Sequence, residues 1–321
     1  MHTDQDIHSA IESALAGIPY PKGTPGLFEP VKYMLDGGGK RLRPRLLLSA
    51  FSALSGRDIS EAMPQALALE MFHNFTLLHD DVMDRADVRH GRPTVHRRWN
   101  ESAAILSGDA MLTLATNLVA QVSEPSMLAP LLSLFNTTAM EVYQGQQLDM
   151  EFESKAFVSV ADYMEMIRLK TSVLLACACR MGAMLAGASD DVCSAFYDYG
   201  IALGLAFQLR DDWLDTFGDP AEFGKAIGGD IVNNKKTWLL ITGLTEARDD
   251  LGGILAEDLE PEVKISQVVK VYRRLSLDER CMKLTRQYLA KAIDSLGRIP
   301  MDEEWRQYFT DLASRSANRT R

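Results

Sequence analysis

Residues 61–84 read "EAMPQALALEMFHNFTLLHDDVMD". Apolar side chains recur there at three- and four-residue steps, the period of a helix, until the run ends in three aspartates, Asp80, Asp81 and Asp84. On a helix turning about 100° per residue, Asp81 stands about 100° from Asp80 and Asp84 about 40°, so the three share one arc. A helix this apolar faces a core, and its acidic end marks the place where that core reaches a cavity mouth.

The same periodicity extends outward through "RPRLLLSAFSALSG" (43–56), "SAAILSGDAMLTLATNLVAQVS" (102–123), "APLLSLFNTTAMEVYQGQQLDMEFES" (129–154), "VADYMEMIRLKTSVLLACACRMGAMLAG" (160–187), "DDVCSAFYDYGIALGLAFQLRDDWLDTFG" (190–218) and "NNKKTWLLITGLTEAR" (233–248). Alternating strand-like runs are nearly absent, and "SLDE" (276–279) resembles a capping box opening a C-terminal helix. The expectation is an all-α protein of about ten or more helices joined by short turns. Gly and Pro punctuate residues 19–26, 36–44, 87–94 and 217–230, none long enough for an interdomain linker, so residues 1–321 read as one domain.

A formal net charge of -10 argues against nucleic acid or an anionic membrane as the main partner, so an anionic ligand must be held by local bases or by metal. The four cysteines, Cys177, Cys179, Cys193 and Cys281, form no CxxC pair and read as reduced core residues. The N-terminus lacks the pattern of a signal peptide, and no uncharged apolar run reaches the roughly 18 residues of a membrane span, which points to the cytoplasm without stable membrane insertion.

One internal echo stands out. "HDDVMD" (79–84) and "RDDWLD" (210–215) carry the same carboxylate spacing 131 positions apart, 211 minus 80. Asp211, Asp212 and Asp215 share an arc as the first set does, and Gln208 joins them. A solvated acidic face is the bland reading, but both sets interrupt strongly apolar helices. Crowded carboxylates repel one another unless a cation neutralises them, and all-oxygen donors favour Mg²⁺, which commonly bridges carboxylates to phosphates.

Bases are placed to meet such phosphates. "GGGKRLRP" (37–44) sets Lys40, Arg41 and Arg43 in a loop before a helix whose first turn suits Pro44, a cradle for an anion. Arg89, Arg92, Lys225 and Lys235 lie in or beside Gly-containing breaks. Lys170 sits within an apolar helix and needs an anionic partner. His73, about 20° from Asp80 on the wheel, faces the same cavity two turns deeper.

These residues resemble the trans-polyprenyl diphosphate synthases, of short-chain farnesyl or geranylgeranyl type. The resemblance runs in order through "GGGKRLRP", "HDDVMD", "RHGRPT", "GDAML", "GQQLDM", "KTS", "FQLRDDWLD" and "GKAIGGDIVNNKKT". It implies an isoprenoid synthase helical bundle around a deep apolar cavity, usually in a homodimer, with about three Mg²⁺ bridging the aspartates to an allylic diphosphate. It assigns Asp80, Asp84 and Asp211 as metal ligands, with Asp81, Asp212 and Asp215 as further or water-mediated ones. Arg89, Lys170, Lys225 and Lys235 would hold the allylic diphosphate, and Gly39, Lys40, Arg43 and His73 isopentenyl diphosphate. Thr171, Gln208 and the Lys170 carbonyl would aim dipoles at an allylic cation, also contacting the allylic substrate.

His90 departs from the family, which usually has a second arginine after Arg89; either protonated His90 or Arg92 takes that role in isopentenyl diphosphate binding. The "KKTWLL" segment also lacks a proline common in the family. Chain length is set in this family below the first aspartate motif, where Phe75 would floor the cavity and Thr76 leave room, giving fifteen to twenty carbons with twenty favoured. The implied reaction is Mg²⁺-dependent head-to-tail condensation of isopentenyl diphosphate with dimethylallyl, geranyl or farnesyl diphosphate. A terpene cyclase and a catalytically silent regulatory subunit are the alternatives.

Overall fold

The computed structural model describes residues 4–219 and 227–317. These residues are helical almost throughout, as the periodicity predicts, and fall into two compact units.

The first unit comprises residues 1–136 and 177–193. It contains α1 (Asp4–Ala16), α2 (Pro25–Leu35), α3 (Leu42–Ser55), α4 (Met63–Met83), the short α5 (Val95–Arg98) and α6 (Glu101–Val119). Helix α4 is the long apolar run of residues 61–84, and it is packed by α1, α2, α3 and α6. Leu69, Met71 and Phe72 are fully enclosed, and Leu78 nearly so, which suits a helix apolar on most of its circumference. Phe72 meets Phe75 at 5.6 Å and Phe135 at 5.3 Å, and Phe75 meets His79 at 4.7 Å. Gly108 of α6 permits a close crossing, since a Cβ there would stand 2.2 Å from His79 Nε2. Asn100 starts α6 by accepting from Ala103 N at 2.8 Å.

The only sheet among the described residues is a hairpin, β1 (Val88–Arg89) against β2 (Arg92–Pro93). Its two-residue turn is His90-Gly91, with φ of 50° and 73°. Such a turn requires left-handed backbone at both positions, which histidine accepts more readily than most residues with a side chain.

The second unit comprises residues 137–176 and 194–321. Helix α7 (Leu128–Ser154) enters it, followed by α8 (Val160–Ile167), a π-helical turn (Arg168–Ser172), α9 (Val173–Leu185) and α10 (Asp190–Phe217). Beyond these lie α11 (Gly229–Val232), α12 (Trp238–Glu246), α13 (Arg248–Ala256), α14 (Pro261–Arg274), α15 (Leu277–Leu296) and α16 (Glu303–Ala317). Tyr163, Leu209, Leu239, Val268, Tyr272 and Leu277 belong to one core cluster.

Two expectations change in detail. Helix α3 begins at Leu42, so Arg43 lies in its first turn rather than in the loop. Ser276 precedes α15 in a left-handed conformation, with φ of 51°, rather than the extended one usual for a capping serine, and makes no side-chain cap; a capping box is formed by Ser159 with Asp162 at α8. Two helices, α6 and α10, are long and apolar enough to cross a membrane by length and composition, with 33% and 67% of those windows buried by protein. All four cysteines are free and buried.

Candidate active site

In the first unit, Asp80 and Asp81 end α4 and Asp84 is its C-cap, its N–H donating to the Asp80 carbonyl at 2.8 Å. They differ in setting: Asp80 is half-buried, Asp84 exposed, and Asp81 only 2% exposed. Arg89 Nε donates to Asp81 Oδ1 at 2.8 Å, while Asp81 Oδ2 is buried without a hydrogen-bond partner. Burial raises the Asp81 pKa against the opposing pull of Arg89 and His96. Both ring nitrogens of His96 are also buried without hydrogen bonds, a feature no sequence signal marked.

The bases of this unit converge on His73. Burial first, then Arg43, Arg89, His90 and Arg41, hold its imidazole well below its ordinary pKa. Burial lowers the Arg43 pKa to about 10 against the attraction of Glu70, and its Nε has no hydrogen-bond partner. Lys40 and Gly39 are exposed beside them, Gly39 with φ of 131°. The Arg92 guanidinium covers the Tyr33 ring at 3.9 Å and also lies beside the glycine loop, where a Cβ at Gly37 would stand 3.6 Å from its Nη1. His90 is among the groups whose charge lowers the His73 pKa.

The second unit gathers another set. Lys170 Nζ pairs with Asp149 at 2.5 Å, the anionic partner its helix position demanded. Thr171 Oγ1 donates to Gln208 Oε1 at 3.1 Å, and Gln208 Nε2 donates to Asp212 Oδ1 at 3.0 Å. Asp212, 3% exposed, also accepts from the Tyr163 hydroxyl. Lys170 and Thr171 lie in the π turn, an irregularity common at functional positions. Two glycines let helices rest on it: a Cβ at Gly145 would meet Lys170 N at 2.3 Å, and one at Gly204 would meet Ser172 Cα at 2.5 Å.

Asp211 is half-buried on the same helix. Asp215 accepts from the Asp230 N–H at 2.9 Å, and Lys235 pairs with Asp230 at 3.4 Å. Burial and the neighbouring Asp230 raise Asp212 to about 7 and Asp215 to about 6. Burial opposes the charge on Lys235, yet Asp230, Asp212 and Asp149 hold it above its ordinary pKa. Lys225 lies outside the described residues.

Asp149, Tyr163 and Asp230 are the participants that sequence reasoning missed. Asp149 and Asp230 stood inside quoted motifs, "GQQLDM" and "GKAIGGD", and a search for partners of Lys170 and Lys235 could have found them. Nothing in the sequence marked Tyr163.

The donor set fits a hard divalent cation. Crowded carboxylates with raised pKa values and the orphaned Asp81 Oδ2 lack positive charge. No three His, Cys, Asp or Glu among the described residues gather closely enough to hold an ion by themselves.

The Polyprenyl synthetase family profile matches residues 24–274. The chain belongs to the polyprenyl synthetase family. Accordingly it is a prenyltransferase with the all-α isoprenoid synthase fold. It is 42% identical over 216 residues to a geranylgeranyl diphosphate synthase of Methanosarcina mazei, covering 67% of this chain and 66% of that protein. A geranylgeranyl diphosphate synthase of Saccharolobus solfataricus is 38% identical over 279 residues, 85% of this chain and 83% of the relative. A crystal structure of a geranylgeranyl pyrophosphate synthase superposes with a TM-score of 0.95 at 39% identity, over 99% of each chain. Helix α1 precedes the residues that the family profile matches.

Proposed function

We propose that this polyprenyl synthetase joins isopentenyl diphosphate head-to-tail to dimethylallyl, geranyl and farnesyl diphosphates, ending on a product of twenty carbons. The observation that carries this reading is the group of bases around His73. A second diphosphate substrate needs such a site, whereas a terpene cyclase needs none.

Arg43, His73 and His90, with Lys40 and the Gly39 backbone, hold isopentenyl diphosphate by charge and hydrogen bonds. Arg89, Lys170 and Lys235, together with Lys225, receive the allylic diphosphate; for Arg89 and Lys170 this means sharing or exchanging Asp81 and Asp149. Asp80, Asp84 and Asp211, with Asp81, Asp212 and Asp215 behind them, would hold about three Mg²⁺, which supply charge neutralisation to the diphosphate.

The allylic C–O bond breaks with its electron pair leaving on diphosphate. The isopentenyl double bond attacks the allylic carbon, and the resulting cation loses a proton to the released diphosphate. Because the Thr171 hydroxyl hydrogen is committed to Gln208, its oxygen lone pairs remain for the positive charge, and the Lys170 carbonyl adds a second dipole.

The same reading takes residues 1–321 as one synthetase domain: the boundaries between the compact units fall inside α7, α9 and α10 rather than in linkers. It takes the working form as a homodimer, because α6 exposes Ile105 and Leu106 and α7 exposes Met140 and Met150. Free buried cysteines agree with a reducing cytoplasm.

The test is incubation with isopentenyl diphosphate, each allylic diphosphate and Mg²⁺, followed by product sizing. Elongation to twenty carbons is expected. No elongation with any primer would sink the reading, and cyclic hydrocarbon from an allylic substrate alone would replace it with a cyclase.

A further inference from the structure

The loop between α2 and α3 carries Gly37, Gly38, Gly39 and Lys40. Three glycines give it little stiffness of its own, yet Lys40 and the Gly39 backbone must meet a diphosphate at one geometry. The chain on either side shows what holds it. Arg41 caps α3 with φ of 45° and ψ of 42°, a left-handed conformation that a side-chain-bearing residue keeps only under external constraint.

The constraint is its guanidinium, whose side chain is 2% exposed. Nε donates to Glu12 Oε1 at 2.7 Å, Nη1 to Glu70 Oε1 at 2.8 Å, and Nη2 to the Leu35 carbonyl at 2.6 Å. A second arginine closes the other end: Arg45 Nη1 donates to the Lys40 carbonyl at 3.2 Å, and Arg45 Nη2 pairs with Asp4. The two backbone carbonyls that bracket the glycines, Leu35 and Lys40, are therefore each gripped by an arginine. Each of those arginines has a counter-ion on α1, Glu12 or Asp4. Helix α1 is itself anchored by Ile7, Ile11 and Leu15, all buried.

We propose that α1, acting through Glu12–Arg41 and Asp4–Arg45, positions the glycine loop for isopentenyl diphosphate, so that Arg41 and Arg45 are positioning residues rather than substrate ligands. This rests on the function proposed above. Arg41 turns its donors to protein: Nε, Nη1 and Nη2 each bond Glu12, Glu70 or the Leu35 carbonyl, Glu70 also accepts from Asn74 at 3.1 Å, and the side chain is 2% exposed. The clamp acts on the loop assigned to isopentenyl diphosphate, so it should bear on that substrate more than on the allylic one.

The experiment uses the full chain with Glu12→Gln, Glu12→Ala and Asp4→Asn. Glu12 is 41% exposed and Asp4 34%, so these changes spare the core. Three readings are taken: KM for each substrate, kcat, and calorimetric binding of isopentenyl diphosphate without metal. The expected result is a rise of about fivefold or more in KM and Kd for isopentenyl diphosphate, largest for Glu12→Ala, with the allylic KM unchanged; Glu12→Ala, which leaves the buried Arg41 one counter-ion short, also lowers the Tm. Unchanged binding of isopentenyl diphosphate would overturn the proposal. So would parallel loss of both substrates with a lowered Tm, which marks a purely structural clamp. A wild-type chain that elongates nothing refutes the parent reading instead, and the binding measurement still decides this one.

Discussion

Gln208 accepts the Thr171 hydroxyl at 3.1 Å and passes its own amide on to Asp212 at 3.0 Å, so one glutamine orients a threonine through a buried carboxylate. Thr171→Val removes the oriented oxygen and should lower kcat about a hundredfold at nearly constant KM, whereas Thr171→Ser should stay within a few-fold of wild type. Steady-state kinetics of the pair decides it. Equal losses in both variants would mean that the methyl group, not the oxygen, matters.

Tyr163 supports that chain from beneath. Tyr163→Phe leaves a buried Asp212 oxygen one donor short, which should cost about 1–3 kcal/mol in denaturant unfolding and lower kcat less than Thr171→Val does. A stability unchanged from wild type would show that water replaces the hydroxyl.

The two substrates should respond differently to metal removal. With a chelator present, allylic diphosphate binding should vanish while isopentenyl diphosphate still binds, because only the first meets the aspartates. Asp80→Ala and Asp211→Ala should each lower kcat by about 10² to 10³. Calorimetry with each ligand is the check, and chelator-sensitive isopentenyl diphosphate binding would refute the assignment.

His73 makes a pH prediction whose sign is fixed by its environment. Its folded pKa is depressed, so between that value and about 6.5 the unfolded chain binds more protons than the folded one. Its contribution is therefore complete above pH 6.5 and is lost as pH falls, with a slope of up to about 1.4 kcal/mol per pH unit. His73→Gln should remove that part of the slope in urea titrations. A diphosphate beside His73 should raise its pKa, so isopentenyl diphosphate binding near pH 6 should take up protons, measurable in buffers of different ionisation enthalpy.

His90 and the chain-length residues give the last tests. His90→Arg should flatten the decline of isopentenyl diphosphate affinity at high pH while costing less than about 1 kcal/mol through the left-handed turn. An unchanged pH profile would remove His90 from the site. Phe75→Ala should lengthen the product and Thr76→Phe shorten it, read by product sizing. Thr76 lies on the Asp80 side of α4, about 40° away, whereas Phe75 is locked between Phe72 and His79, so the Thr76 effect should be the cleaner.

Much of this was legible beforehand because it rests on local rules. The period of α4, the acidic arcs and the cost of an unpaired Lys170 are properties of short windows. What stayed hidden depends on residues far apart. Asp212 read as a further or water-mediated metal ligand, and only packing reveals that Tyr163, 49 positions earlier, and Gln208 already bond its oxygens. Arg41 read as one more base in a basic loop, until Glu12 and Glu70, each 29 positions away, showed that its charge is consumed inside the protein. The start of α3 was misplaced by two residues because Arg41, with no special propensity, adopts the left-handed cap.

The contacts of Gly145 and Gly204 with the π turn also bear on how such an enzyme can change. A single added methyl group at either position collides with the backbone that presents the Lys170 carbonyl and Thr171. No small substitution at Gly145 or Gly204 is accommodated without shifting that backbone, so the turn to which the proposed function assigns the cation is closed to gradual tinkering there. In the function proposed above, diversity in product length would then enter through α4, where Thr76 can grow or shrink away from this turn.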